Sequence, residues 1–211
     1  MIMKAMKFLL ISILLVAGAI SYGQQSWIPI SSNTPENPVL TVVEQNSNHV
    51  IIDVEIPGMY ATPVQVDGMT FQRIEFYSWQ TTKDVGKPEL PMINEIIGMP
   101  SDKLIRASIV SSASTVFENY NVFPFQTPSK DIAGGQSDEF VIDKDFYSKS
   151  VVYPASNLSV DKPGIWRDVK IAGLHITPFK YNPANQTLEV INRIRIKVEF
   201  HGIDTEVTVN R

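Results

Sequence analysis

Between positions 188 and 200 the chain alternates almost without fault. The even positions are Leu188, Val190, Asn192, Ile194, Ile196, Val198 and Phe200, and the odd ones are Glu189, Ile191, Arg193, Arg195, Lys197 and Glu199. Successive side chains of an extended strand point to opposite faces, so a period of two writes one apolar and one charged face. Asn192 on the apolar face and Ile191 on the charged face are the two exceptions. The segment is a long amphipathic strand.

The same period recurs in shorter runs. At 49–56, Val50, Ile52, Val54 and Ile56 alternate with Ile51, Asp53 and Glu55, and 39–44 precedes them across an Asn/Ser-rich loop at 45–48, so the pair reads as a hairpin. Further strands are expected at 64–66, 69–77, 92–98 and 103–111, the last with Ile105, Ala107 and Ile109 on one face. Turn residues separate them at Asp67-Gly68, Gly86-Lys87-Pro88 and Pro100-Ser101-Asp102. The run 171–181 is strand-like and leads through a turn at 182–186, with Pro183 inside it, into the long strand. No stretch of helical length shows the 3.6 period, and 14 prolines spread along the chain oppose long helices. Between 117 and 170 prolines at 124, 128, 154 and 163 and the Gly134-Gly135 pair mark a loop-rich middle, and such long connections occur where a loop has a role. The expected fold is an all-β antiparallel sandwich, jelly-roll-like, with long loops and little helix outside an N-terminal signal peptide.

That N-terminus reads as an export signal: Lys4 and Lys7, an apolar run at 8–20, then Ser21-Tyr22-Gly23. The apolar run is shorter than the roughly 20 residues that span a bilayer, so the segment is expected to be cleaved between Gly23 and Gln24, leaving a chain that does not span the membrane. Cleavage removes two lysines and no acid, taking the formal charge from −4 to −6. An acidic exported chain is not built for nucleic acid. The expected organisation is a signal peptide at 1–23, an exposed lead-in at 24–38 and a sandwich domain at 39–211, secreted to the periplasm, cell surface or medium.

Composition closes off several chemistries. With no cysteine the chain is neither a thiol protease nor a disulfide scaffold. His49, His175 and His201 form no HExxH or HxH spacing, and no metal or cofactor site is legible. The carboxylate pair Asp53/Glu55 and the group Asp138, Glu139, Asp143 and Asp145 read as solvated faces, the latter without the glycine and spacing of a calcium loop. There is no Gly-x-Ser-x-Gly elbow. Trp27, Trp79 and Trp166 read as packing aromatics, with Trp166 expected beneath a loop closed by paired Arg167 and Asp168 charges. The chain carries no enzyme signature of its own.

Six words stand in a fixed order from position 86 to position 200: GKPELPMINEIIGMP (86–100), KLIRASIVSS, FPFQTPSK (123–130), YP (153–154), WRD (166–168) and ITPFKYNPANQTLEVINRIRIKVEF (176–200). In that order they resemble the N-terminal propeptide of the gingipain family of secreted bacterial cysteine endopeptidases. Residues 24–85 match only in kind, as alternating strands. The resemblance implies a sandwich prodomain that assists the folding of a caspase-like cysteine peptidase domain, in cis or in trans, keeps it latent, and is removed on activation. In that family latency is attributed to a basic side chain on a prodomain loop that enters the peptidase's acidic specificity pocket, an arrangement of charge-assisted hydrogen bonds in a desolvated site. The loop should follow the FPFQTPSK word, and no arginine lies between Arg106 and Arg167. Lys130 and then Lys144 are the candidate anchors, with surface lysine as the ordinary alternative. Arg211 closes the sequence where an arginine-specific peptidase would cut. A stand-alone secreted sandwich for adhesion or carbohydrate binding is the competing reading.

Overall fold

A computed structural model of the chain describes residues 20–76, 80–128 and 139–204. In chain order the strands are β1 (Ser21–Tyr22), β2 (Ser26–Pro29), β3 (Val39–Gln45), β4 (His49–Glu55), β5 (Gly58–Val66), β6 (Met69–Glu75), β7 (Gln80–Thr81), β8 (Pro91–Met99) and β9 (Leu104–Phe117). One helical turn, α1 (Lys144–Tyr147), precedes β10 (Leu158–Val160), β11 (Gly164–Trp166), β12 (Val169–Ile176), β13 (Phe179–Asn182) and β14 (Thr187–His201).

Among the described residues all strand pairing is antiparallel and falls into three sheets. In the first, β5 has β6 along one edge and β2 and then β1 along the other. In the second, β12 pairs with β8, β10 and β11, and β7 pairs with β8. In the third, β14 has β9 along one edge and β13 and then β4 along the other, with β3 outside β4. The apolar faces close on one core that takes Val50, Ile52 and Val54 from β4, Ile93 from β8, Leu174 and Ile176 from β12, and Ile194, Ile196 and Val198 from β14. Each such side chain, fully buried, stabilises the fold by about 1.5–3 kcal/mol. The architecture is the expected antiparallel β-sandwich.

Strand β14 buries Leu188, Val190, Ile194, Ile196, Val198 and Phe200. Its two exceptions have one cause: the register against β9 slips between Ile191 and Arg193, a β-bulge. Ile191 turns inward and is 3% exposed, its amide donating to the Pro178 carbonyl at 2.8 Å. Asn192 is the point at which β13 gives way to β4, its carbonyl accepting from the Ile56 amide at 2.9 Å.

The 39–44 and 49–56 hairpin forms as β3 and β4, closed by the Asn46 side-chain oxygen, which accepts from the amides of Asn48 and His49 at 2.9 and 3.0 Å. The Asp67-Gly68 turn adopts φ of 50° and 78° between β5 and β6. Three expectations need correction. The 103–111 strand runs on to Phe117. The 171–181 run is two strands in different sheets: β12 ends at Ile176 and β13 begins at Phe179. Pro178 lacks the amide a continuous ladder would use, and the Asn157 side-chain amide clasps the crossing, donating to the carbonyls of Thr177 and Phe179 at 2.6 and 2.8 Å. Finally, the β11–β12 turn is made by positive φ at Arg167 (48°) and Asp168 (65°), not by a charge pair, and Trp166 is 60% exposed with the Arg167 guanidinium 5.5 Å from its ring.

Residues 24–38 contain strand β2, in which Trp27 packs edge-on against Tyr60 with ring centroids 5.1 Å apart and donates its indole N–H to the Ser32 carbonyl.

Candidate functional site: the base of the 129–138 segment

Lys130 lies outside the described residues, within 129–138. The two ends from which that segment departs are well defined. On the outgoing side, residues 122–125 are tied on both flanks. The Phe123 amide donates to the Gln72 carbonyl of β6 at 2.9 Å, while the Phe123 carbonyl accepts from Glu89 at 2.8 Å and the Phe125 amide donates to Lys87 at 2.8 Å. On the returning side, Gln126 spans the gap like a missing strand residue. Its side-chain amide nitrogen donates to the Val141 carbonyl and its side-chain oxygen accepts from the Val141 amide, both at 2.8 Å.

Gly86 joins both sides through its own backbone. Its amide donates to the Phe125 carbonyl at 2.9 Å and its carbonyl accepts from the Asp143 amide at 3.0 Å. Its φ of 78° lies in the left-handed region, and a Cβ there would meet the Asp143 nitrogen at 2.9 Å, so only glycine fits on both counts.

Beneath the base is a second apolar cluster of Val64, Val66, Phe71 and Phe123, with Phe140 and Ile142 packed on it. The rings of Phe71, Phe123 and Phe140 contact one another at centroid distances of 5.7 to 5.9 Å. The Arg73 guanidinium sits 4.5 Å from the Phe123 ring and its Nε lies 3.3 Å from Glu89. Burial pushes the Glu89 carboxyl up, partly opposed by Arg73.

After the base the chain makes α1. The Asp143 side chain caps it, accepting from the Phe146 amide at 2.9 Å. Tyr147 reaches back to donate to the Val122 carbonyl at 2.7 Å, closing the outgoing and returning sides into one unit. Burial drives the Tyr147 hydroxyl well above the ordinary tyrosine range and holds Tyr153 and Tyr181 at about 12. Lys144, exposed, is the first residue of α1. The structure therefore puts the second candidate at the foot of the segment.

The other sequence candidates are placed as follows. Gly23 donates its amide to the Pro63 carbonyl at 2.7 Å, immediately after β1 has paired with β5, and Gln24 follows it exposed. Arg211 and Trp79 lie outside the described residues. Asp53 and Glu55 are not a dyad: Arg195 makes two 2.7 Å bonds to Asp53, holding its carboxyl below the usual range, and Arg193 faces Glu55. His175 is half-buried between Asn94 (2.6 Å) and Asp161 (2.8 Å). Among the described residues no group of three or more His, Cys, Asp or Glu could hold a metal ion, and no helix is long and apolar enough to cross a membrane. The arrangement holds the two ends of a segment on a fixed platform.

A family model for the C25 propeptide, Propeptide_C25, matches residues 31–210. The chain belongs to the Propeptide_C25 family. The match is to a propeptide and not to a peptidase domain, in keeping with a chain that has no cysteine. Among curated proteins it is similar to Lys-gingipain of Porphyromonas gingivalis, 26% identical over 70% of this chain and 9% of that protein. It is also similar to gingipain R1 of P. gingivalis, 25% identical over 86% of this chain and 18% of the other. The chain thus spans less than a fifth of these relatives. In fold it resembles a solved structure addressing zymogenic latency of gingipain K from P. gingivalis, with a TM-score of 0.72, 23% identity and coverage of 85% of this chain and all of that one. A second, the complex of the P. gingivalis RgpB pro- and mature domains, gives a TM-score of 0.71 at 18% identity, covering 79% of this chain and 86% of that one.

Gly86 and Gln126 were missed as site residues. Gly86 stands in the GKPELP word and Gln126 in the FPFQTPSK word, so the signal lay within the motifs of the resemblance.

Proposed function

We propose that the chain is the propeptide of an exported gingipain-type cysteine endopeptidase precursor, which assists folding of the caspase-like peptidase domain and holds it latent until removed. The observation that carries this reading is the double brace of Gly86 and Gln126 across the base of the 129–138 segment, in a member of the Propeptide_C25 family. An inhibitor loop gains affinity when its anchor is presented on a platform that loses little entropy on binding. Lys130 is the anchor, its ammonium entering an acidic specificity pocket. Lys144, at the foot of the segment and part of α1, is the less suitable of the two. The likeness to Lys-gingipain and to the structure of RgpB pro- and mature domains in complex supports a peptidase domain as partner.

Export follows from residues 1–23, with cleavage between Gly23 and Gln24, and release of the propeptide follows cutting after Arg211. The deciding experiment titrates the purified chain against the mature peptidase of the same precursor. Lys130→Ala should weaken inhibition at least about tenfold, the equivalent of 1.4 kcal/mol, while Lys144→Ala should inhibit like the parent. Equal inhibition by all three removes Lys130 as anchor, and no inhibition by the parent removes the latency reading.

A further inference from the structure

On the returning side of the base, Phe140 and Ile142 pack on the small apolar cluster, which leaves Val141 between them on the outer side. A period of two normally sets a polar residue at such a position. Val141 is instead apolar and 45% exposed. Val85, 48% exposed, precedes Gly86, and the Val141 Cγ1 methyl lies 3.4 Å from the point that a Cβ on Gly86 would occupy. The two valines therefore adjoin the same glycine. Charged groups beside them are already engaged: Asp84 accepts from the Tyr153 hydroxyl at 3.2 Å and lies 3.8 Å from the Lys87 ammonium, and Asp143 caps α1. The centres of protein interfaces have this character, apolar and short of unpaired charge.

We propose that Val85 and Val141 form the seat on which the peptidase domain rests when Lys130 enters its specificity pocket. This seat presupposes the latency function proposed above, and chain length selects its occupant. Lys130 stands two residues beyond Pro128, at most about 7 Å of extended backbone. Gln126, two residues before Pro128, is fastened to Val141 by the two 2.8 Å bonds. A pocket that takes a side chain on so short a tether brings its rim onto the residues at the root. The attraction between an ammonium and a carboxylate weakens wherever water reaches it, and the contacts that ring an anchor act by keeping water out. The valines supply part of that ring. Losing either one loosens the grip on Lys130 without touching Lys130 itself.

The test titrates the chain against the mature peptidase of the same precursor, with urea unfolding of each variant as the check on its fold. Val141→Asn and Val85→Asn, polar and close to valine in size, should each raise the inhibition constant at least about tenfold. Val141→Ile should inhibit like the parent. Val43→Asn on β3, where the valine is 51% exposed, is the control for an added surface amide and should change nothing. Raising salt from about 50 to 500 mM should weaken the Asn variants more than the parent, as ions and water reach the charge pair. In a Lys130→Ala background the Asn substitutions should cost less than they do in the parent. A parent that inhibits through Lys130 while both Asn variants inhibit as strongly overturns the seat and leaves the proposed function standing. An equal cost for Val43→Asn, or full additivity with Lys130→Ala, overturns it too. Self-association of the parent that Val141→Asn abolishes, with inhibition intact, assigns the valines to a second copy and likewise overturns the seat. A parent that does not inhibit removes the latency reading and the seat with it.

Discussion

Replacing Gly86 by alanine tests whether the base of the 129–138 segment is a rigid platform. Two penalties add at this position. A φ of 78° costs an L-residue about 1–2 kcal/mol, because Cβ crowds the following carbonyl. The new Cβ would also lie 2.9 Å from the Asp143 nitrogen, forcing that backbone away and straining the 3.0 Å hydrogen bond to the Gly86 carbonyl, worth about 1 kcal/mol. The expected loss is about 2–3 kcal/mol, or roughly 4–12 °C in melting temperature for a chain of this size. Gly68 supplies the control. It has the same φ of 78° with nothing within 4 Å of its Cβ position, so Gly68→Ala carries the conformational cost alone. Urea unfolding of both variants measures the difference, which should be about 1 kcal/mol. Titration against the mature peptidase should show weaker inhibition for Gly86→Ala alone. Equal destabilisation by the two alanines, with equal inhibition, would refute the idea that Gly86 braces the segment.

Three further outcomes follow from buried groups. Lys170 is 4% exposed, and its ammonium donates to the carbonyls of Ser101 and Lys103 and to Asp204 at 2.7 Å, so Lys170→Met removes three charge-assisted bonds from a buried site and should cost about 3 kcal/mol by urea unfolding. Ile191→Ala, at a position that strict alternation assigns to the solvent face, should cost about 2–4 kcal/mol by the same measurement; a loss below about 0.5 kcal/mol would contradict its burial in the bulge. Tyr153 and Tyr181 titrate at about 12 in the folded chain, above the ordinary value of 10.0, so the native state holds protons that the unfolded state has released. Their contribution is complete below pH 10 and is lost as pH rises toward 12, giving stability that declines through that window in pH-dependent urea melts.

The strands were legible where one face met the core and the other met water. The β3–β4 hairpin, the Asp67-Gly68 turn and the length of β14 all announce themselves through period two and turn chemistry. The split of 171–181 did not, because its only local trace is a phase shift from even apolar positions (Ala172, Leu174, Ile176) to odd ones (Phe179, Tyr181) across Thr177-Pro178, and the change of sheet is enforced by Asn157, which is distant in sequence. The second half of β9 was unreadable for the opposite reason: with neither face buried, it shows no alternation. Trp166 was misread because a tryptophan's exposure depends on the positive φ of the two residues after it. At the candidate site the motif words pointed to the correct neighbourhood, but the roles of Gly86 and Gln126 are contacts to backbone groups 39 and 15 positions away, from the backbone of Gly86 and the side-chain amide of Gln126, which no local pattern encodes.

The arrangement of these contacts separates two jobs. The large core, built from β4, β8, β12, β13 and β14, fixes the sandwich. The small cluster of Val64, Val66, Phe71 and Phe123, with Phe140 and Ile142 against it, fixes only the base of the 129–138 segment. Losing a ring from the small cluster would loosen the base before it unfolds the sandwich, since cooperative units open at free energies set by their own buried contacts. Phe140 is the sharpest instance: half-buried and on the returning side, it touches both Phe71 and Phe123, but belongs to no strand. Under the proposed function this division has a use, because the segment would be held firmly enough to present Lys130 while the chain that carries it could still be cut and released.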